Sequence, residues 1–161
     1  EEMLNYPKRV FSVGRLDKNS EGLLLMTNHG DILNKIMRAG NYHEKEYLVT
    51  IDRPVTEEIV RKMAGGGIPV LDQVTRPCKV EKTGKYTLRI ILTQGLNRQI
   101  RRMCEYCGCR VMRLRRVRIM NILLGNLRPG EYRKITGQEI ETLYDMLRGS
   151  VSEPVQRGRK G

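Results

Sequence analysis

The sequence predicts an α+β domain: a mixed, mostly antiparallel sheet flanked by a few helices. Three observations lead there. Runs such as Lys45 to Ile51 and Tyr86 to Leu92 alternate apolar with polar residues and are rich in β-branched and aromatic types, the pattern of half-buried strands. Between such runs lie segments with apolar residues three and four apart, the period of amphipathic helices. No internal repeat and no dinucleotide-binding or metal-binding signature interrupts this mixture.

The first informative stretch is Gly14 to Thr27, GRLDKNSEGLLLMT. A polar turn carrying Arg15 and Asp17 runs into the apolar segment Leu23 to Met26, which reads as a buried strand bounded by turn residues. Asp17 is thereby expected at the mouth of a strand with a guanidinium two residues away. A carboxylate so placed stays ionised and oriented, as a nucleophile or general base must. A salt-bridged turn aspartate is the plainer alternative.

Asn28 with Asp31 marks a helix start, and Ile32, Leu33, Ile36 and Met37 give a short amphipathic helix over 29–38. His29 opens it and His43 lies in the following loop, both as surface or RNA-contact residues rather than metal ligands, since neither has a second ligand at helical spacing. In the strand from Lys45 to Ile51, Tyr47, Val49 and Ile51 share a face. Thr56 caps a helix with Glu57 and Glu58 in its first turn and Ile59, Val60 and Met63 on its apolar side, ending at Gly65-Gly66-Gly67. That triple glycine lacks the Lys and Ser or Thr of a phosphate loop and reads as a helix stop.

Residues 68–79 read as an irregular strand with Pro69 and Pro77 at its ends, and Val80 to Thr93 as a hairpin turning at Lys82 to Lys85. Then comes QGLNRQIRRM, where Ile100, Met103, Cys104 and Cys107 take one side of a helix and Arg98, Arg101, Arg102 and Glu105 the other. Arg110 to Met120 alternates Arg with Val, Leu or Ile and reads as a basic-faced strand broken near Arg115. A further turn and strand are expected over 123–136. Thr136 and Glu139 form a capping box for a closing helix with Ile140, Leu143, Tyr144 and Leu147 as its buried stripe. Residues 1–149 are expected to form one domain, and 150–161 a basic disordered tail.

Charge narrows the partner. The 161 residues carry 30 Lys and Arg against 18 Asp and Glu, a net +12 with a pI near 9.9, so an anionic partner is expected, nucleic acid first. From Arg98 to Arg118 eight arginines accompany the single acid Glu105. Guanidiniums this close repel one another unless an anion sits among them, and phosphate binds them bidentately. Arg98, Arg102, Arg110, Arg113, Arg115 and Arg116 are therefore expected to contact the phosphates of a nucleic acid. No run approaches 18 apolar residues and no signal-peptide pattern is present, so a cytoplasmic protein with reduced thiols and no membrane partner is expected. Cys104, Cys107 and Cys109 form C-x-x-C-x-C, but the first two already serve a helix face, so no metal is expected.

The motif GRLDKNSEGLLLMTNHGD, followed in order by HEKEYLVTID and QGLNRQIRRM, resembles the RNA pseudouridine synthases, in the branch that modifies ribosomal RNA and usually carries a small S4-like domain at its N-terminus. The resemblance runs from about Phe11 to Leu147. It implies a mixed sheet with an active cleft across its middle and isomerisation of uridine to pseudouridine, which needs no cofactor. It also implies that Asp17 is the catalytic carboxylate, that Arg101 pairs with it, and that Tyr47 stacks on the uracil. Arg15 would fill the space left by the flipped nucleotide, with Arg98 a second choice for the aspartate's partner. The alternatives are the same chemistry on transfer RNA, or a non-catalytic basic RNA-binding module. The opening EEMLNYPKRVFSV has no initiator Met and lacks an earlier strand-and-turn segment of the family, so a catalytic-domain fragment is expected. It should be a monomer, or a dimer by strand exchange if the truncation leaves an open edge.

Overall fold

The computed structural model describes residues 11–13, 20–27, 30–38, 41–96 and 98–150. At its centre is strand β4 (Lys45–Ile51), whose alternation lets one side face a core and the other face solvent. It pairs antiparallel with β8 (Thr87–Leu92) on one side and β9 (Val111–Ile119) on the other. Beyond β8 lies β7 (Lys79–Lys82), and beyond β9 lies β10 (Ile122–Leu123), both antiparallel. The sixth strand, β2 (Glu21–Gly22), runs parallel to β9. The sheet is thus mixed and mostly antiparallel, as the strand pattern predicts. Strands β1 (Phe11–Val13) and β3 (Leu25–Thr27) form a separate antiparallel pair.

Two hydrophobic cores share this sheet. The larger joins Val49 and Ile51 of β4, Leu88, Ile90 and Leu92 of β8, and Leu114 of β9 to helices α2 (Glu57–Gly65) and α3 (Gln99–Tyr106). Ile59 and Met63 of α2 and Ile100, Met103 and Cys104 of α3 supply the helical side, so the spacing read from the sequence is the spacing that packs. Thr56 caps α2, its hydroxyl accepting from the Ile59 amide at 3.2 Å. The smaller core joins Leu23, Leu25 and Ile36 to Ile119, Met120 and Ile122, and closes under Leu143 and Leu147. Ile36 comes from α1 (Gly30–Met37), the last two leucines from α4 (Gly137–Leu147).

Four expectations change. Residues 68–79 form a small hairpin, β5 (Pro69–Val70) with β6 (Gln73–Val74), turning at Leu71 with φ 57°. The arginine-rich strand β9 is continuous through Arg115; its irregularities fall at Val117 and Met112, where its register against β4 slips by one. Bulges of this kind bend a strand without ending it. The expected strand over 123–136 is only the last residue of β10 followed by turns. In α4 the capping box of Thr136 and Glu139 is present, but Ile140 and Tyr144 remain exposed because the second core meets only the Leu143 and Leu147 side. Except for Ser150, the basic C-terminal tail lies outside the described residues, as does His29.

Candidate active site

Strand parity sorts the functional side chains. In β4, Lys45 and Tyr47 alternate onto the same face as core residues Val49 and Ile51, and register sets Tyr47 opposite Arg116 of β9 and Ile90 of β8. Helix α3 packs over this front face, and Tyr47 rests against the larger core. Arg101 projects from α3 and its Nη2 donates to Ser20 Oγ at 3.4 Å. Residues 81 positions apart are so brought together, and Ser20 follows Asp17 by three. Asp17 and Arg15 themselves lie outside the described residues.

The segment from Ser20 to Leu23 is seated on β9 by an unusually close approach. Gly22 has φ 121°, and a Cβ there would lie 2.2 Å from the carbonyl oxygen of Arg116. Only glycine permits both that backbone angle and that separation. The Leu23 amide donates to the Arg116 carbonyl at 2.8 Å, and Arg116 Nε donates back to the Leu23 carbonyl at 2.9 Å. Arg116 is only 2% exposed. The expectation that it contacts RNA is therefore corrected: its guanidinium is an internal clamp holding the Ser20 to Leu23 segment to the sheet.

The remaining arginines differ in their surroundings. Arg113, Arg115 and Arg118 point to the back of the sheet, opposite to Arg116, because they pair across to Thr50, Leu48 and Glu46. There carboxylates stand beside two of them. Arg113 Nε meets Glu21 at 2.7 Å, and Arg118 meets Glu46 at 2.8 Å and Glu44 at 3.1 Å. Arg89 of β8 joins the same network through Glu81 at 2.8 Å and Glu46 at 3.3 Å. The hydrogen bond from Arg113 holds the Glu21 carboxyl below its usual range. Arg98 is exposed at the start of α3 in a left-handed conformation, Arg102 is partly buried on α3, and Arg110 is exposed just before β9. The mutual repulsion inferred from the sequence is thus relieved in part by acids lying far from these arginines in the chain.

Three residues of this region were not singled out by sequence reasoning. Gly22 is one, and the available signal was a lone glycine at the edge of an apolar strand. Lys45 is another: half-buried on the front face, its ammonium is pushed down to about 8 by burial and by the neighbouring charge of Arg116. Its position two residues before Tyr47 was the signal. Gln99 is the third, buried in the first turn of α3, where its side-chain oxygen accepts from the Leu96 amide at 3.2 Å and shapes the turn that leads Arg98 and Arg101 into place.

The thiols stay separate from this chemistry. Cys104 and Cys109 are buried, Cys109 Sγ donating to the Cys104 carbonyl at 3.4 Å. Burial pushes the Cys78 thiol up to about 11. Among the described residues no group of three His, Cys, Asp or Glu is arranged to hold a metal ion. His43, expected at the surface, is half-buried and hydrogen-bonded to the Ser150 hydroxyl at 2.8 Å. No helix among the described residues is long and apolar enough to cross a membrane.

Known proteins share this arrangement. The family of RNA pseudouridylate synthases matches residues 3–106. The dual-specificity RNA pseudouridine synthase RluF of Salmonella typhi is 55% identical over 152 residues, 94% of this chain and 52% of that protein. The ribosomal large subunit pseudouridine synthase B of Vibrio cholerae is 35% identical over 144 residues, 86% of this chain and 44% of that one. A crystal structure of a pseudouridylate synthase superposes with a TM-score of 0.83 at 34% identity, covering 88% of this chain and 64% of that chain. The chain thus spans about half the length of the curated relatives it matches. With the family match running over residues 3–106, more than half of its length, the chain belongs to the RNA pseudouridylate synthase family.

Proposed function

We propose that this chain is the catalytic part of an enzyme that converts uridine to pseudouridine in ribosomal RNA of the large subunit, in the bacterial cytoplasm. In this reaction the bond from uracil N1 to ribose C1′ breaks, the base turns, and C5 bonds to C1′. The C5 proton leaves to solvent and N1 takes up a proton. Atoms and electrons balance without a redox partner or a group donor, so no cofactor is required.

Asp17 is the carboxylate that attacks or abstracts, Arg101 keeps it ionised, and Tyr47 stacks on the uracil. Arg15 takes the place of the extruded nucleotide, since a base must leave its stack before its glycosidic bond can be reworked. Arg98, Arg102 and Arg110 contact phosphates, with Arg113 and Arg115 adding to the field from the back of the sheet. The observation that carries this reading is the bond from Arg101 to Ser20, which fastens the third motif to the middle of the first. The name of the Vibrio cholerae relative supports a large-subunit target, and the dual specificity of the Salmonella typhi relative supports a second RNA, for which transfer RNA is the alternative.

The test is release of tritium from ribosomal RNA transcribed with 5-tritiated uridine. Asp17→Asn is expected to abolish release while leaving RNA affinity within a few fold. Full turnover by this variant would remove Asp17 from its role. No release by the unaltered protein, with salt-sensitive binding retained, would leave only an RNA-binding module.

A further inference from the structure

A second aromatic site stands outside this chemistry. Tyr42, in the loop before β4, is 59% exposed and holds φ 57°, a left-handed conformation that bulky side chains seldom adopt and that persists only where its surroundings impose it. Beneath one face of its ring sits the guanidinium of Arg76, 4.0 Å from the centroid. That guanidinium is itself fixed, Nη1 donating to the Thr93 carbonyl at 2.9 Å. The Arg76 amide donates to Gln94 Oε1 at 2.8 Å, and Gln94 Nε2 donates to the Val74 carbonyl at 3.2 Å. The ring is therefore a flat, exposed surface on a rigid support, not a side chain lying loosely on the protein.

Its location ties it to the site. Thr93 and Gln94 directly follow β8 and lead to Arg98 and α3, while Tyr42 precedes by five residues the tyrosine that faces the reacting base. Five residues of extended chain reach at most about 17 Å. The exposed ring therefore lies within that reach of Tyr47, on a support bonded to the segment that leads into α3. A free aromatic face backed by a cation, on a chain of net charge +12, suits a nucleobase better than any other planar group: the field attracts the polyanion, and every base offers a π-face.

We propose that the face of Tyr42 opposite Arg76 is a stacking platform for an unpaired base beside the target nucleotide. This inference rests on the pseudouridine synthase reading, and it assigns that enzyme a subsite for the strand flanking the flipped uridine. The platform would hold a neighbouring base open while the target turns over at Tyr47.

The experiment compares the unaltered chain with Tyr42→Phe, Tyr42→Leu and Tyr42→Ala. The binding probe is a single-stranded oligoribonucleotide carrying 2-aminopurine next to a uridine, whose fluorescence is quenched on stacking. Tyr42→Phe should keep the quenching and the affinity. Tyr42→Leu and Tyr42→Ala should lose the quenching and bind roughly 5- to 100-fold more weakly, the range for loss of one base–aromatic stack. In tritium release the loss should appear in KM. Equal quenching and affinity for Tyr42→Leu and Tyr42→Phe would overturn the platform, even with catalysis intact. Quenching that depends on the aromatic ring in a protein that releases no tritium would uphold the platform and overturn the catalytic reading instead.

Discussion

Lys45 carries an ammonium group into a half-buried position beside the buried guanidinium of Arg116, and both effects disfavour its charge. With a folded value of about 8 against an ordinary 10.5, the folded chain loses this proton first. Between those limits the unfolded chain binds more protons, so the contribution of Lys45 to stability rises with pH across that window. Below about pH 8 both states hold the proton and the full cost stands. Lys45→Met should therefore stabilise the fold at pH 7 by about 1–3 kcal/mol. The gain should shrink toward zero by pH 10.5. Urea denaturation of both proteins at pH 7 and pH 10 checks this, and a gain that grows with pH would refute it. The residue type was legible in the sequence, but the proximity of Arg116 was not. The two lie 71 positions apart and meet only because β4 and β9 are neighbours.

Between elements, the contact that matters most is β2 on β9. Substituting Gly22→Ala puts a Cβ 2.2 Å from a backbone oxygen and asks alanine to hold a φ suited to glycine, penalties of about 1–3 kcal/mol each. A loss of roughly 2–5 kcal/mol, or local detachment of the Ser20 to Leu23 segment, is expected in chemical denaturation and in proteolysis of that segment. A change below about 0.5 kcal/mol would mean that the strands do not approach this closely. Helices α2, α3 and α4 were readable from cap and period, since Thr56, Thr136 and the i, i+3, i+4 apolar residues are local signals. The faults lay where pairing is non-local. The hairpin of β5 and β6 and the continuity of β9 depend on partners that a window of adjacent residues does not contain.

Across the protein the exposed arginines differ in whether a carboxylate answers them. The back face carries Arg89, Arg113 and Arg118 with their glutamates; the exposed pairs Arg89–Glu81 and Arg113–Glu21 contribute about 0–1 kcal/mol each, while the Arg118–Glu46 pair is partly buried. Arg98 and Arg110 are exposed and form no ion pair among the described residues. In a plot of log affinity for RNA against log salt concentration, Arg98→Ala and Arg110→Ala should each reduce the slope by about 1. Arg113→Ala, whose guanidinium already answers Glu21, should leave the slope nearly unchanged. Equal slopes for all three variants would show that pairing with a carboxylate does not change an arginine's use of phosphate.

Local order along the chain was enough to establish the α+β class, the caps, the faces of α2 and α3, the net positive charge and the three motifs by which the family is recognised. Propensity, periodicity and side-chain chemistry act over a few residues, so they can be read in one dimension. Which arginine is clamp, which is paired and which is free could not be read that way. Neighbouring guanidiniums on one strand alternate between opposite faces, and their partners Leu23, Glu21 and Glu46 come from strands that pair only after the chain has folded.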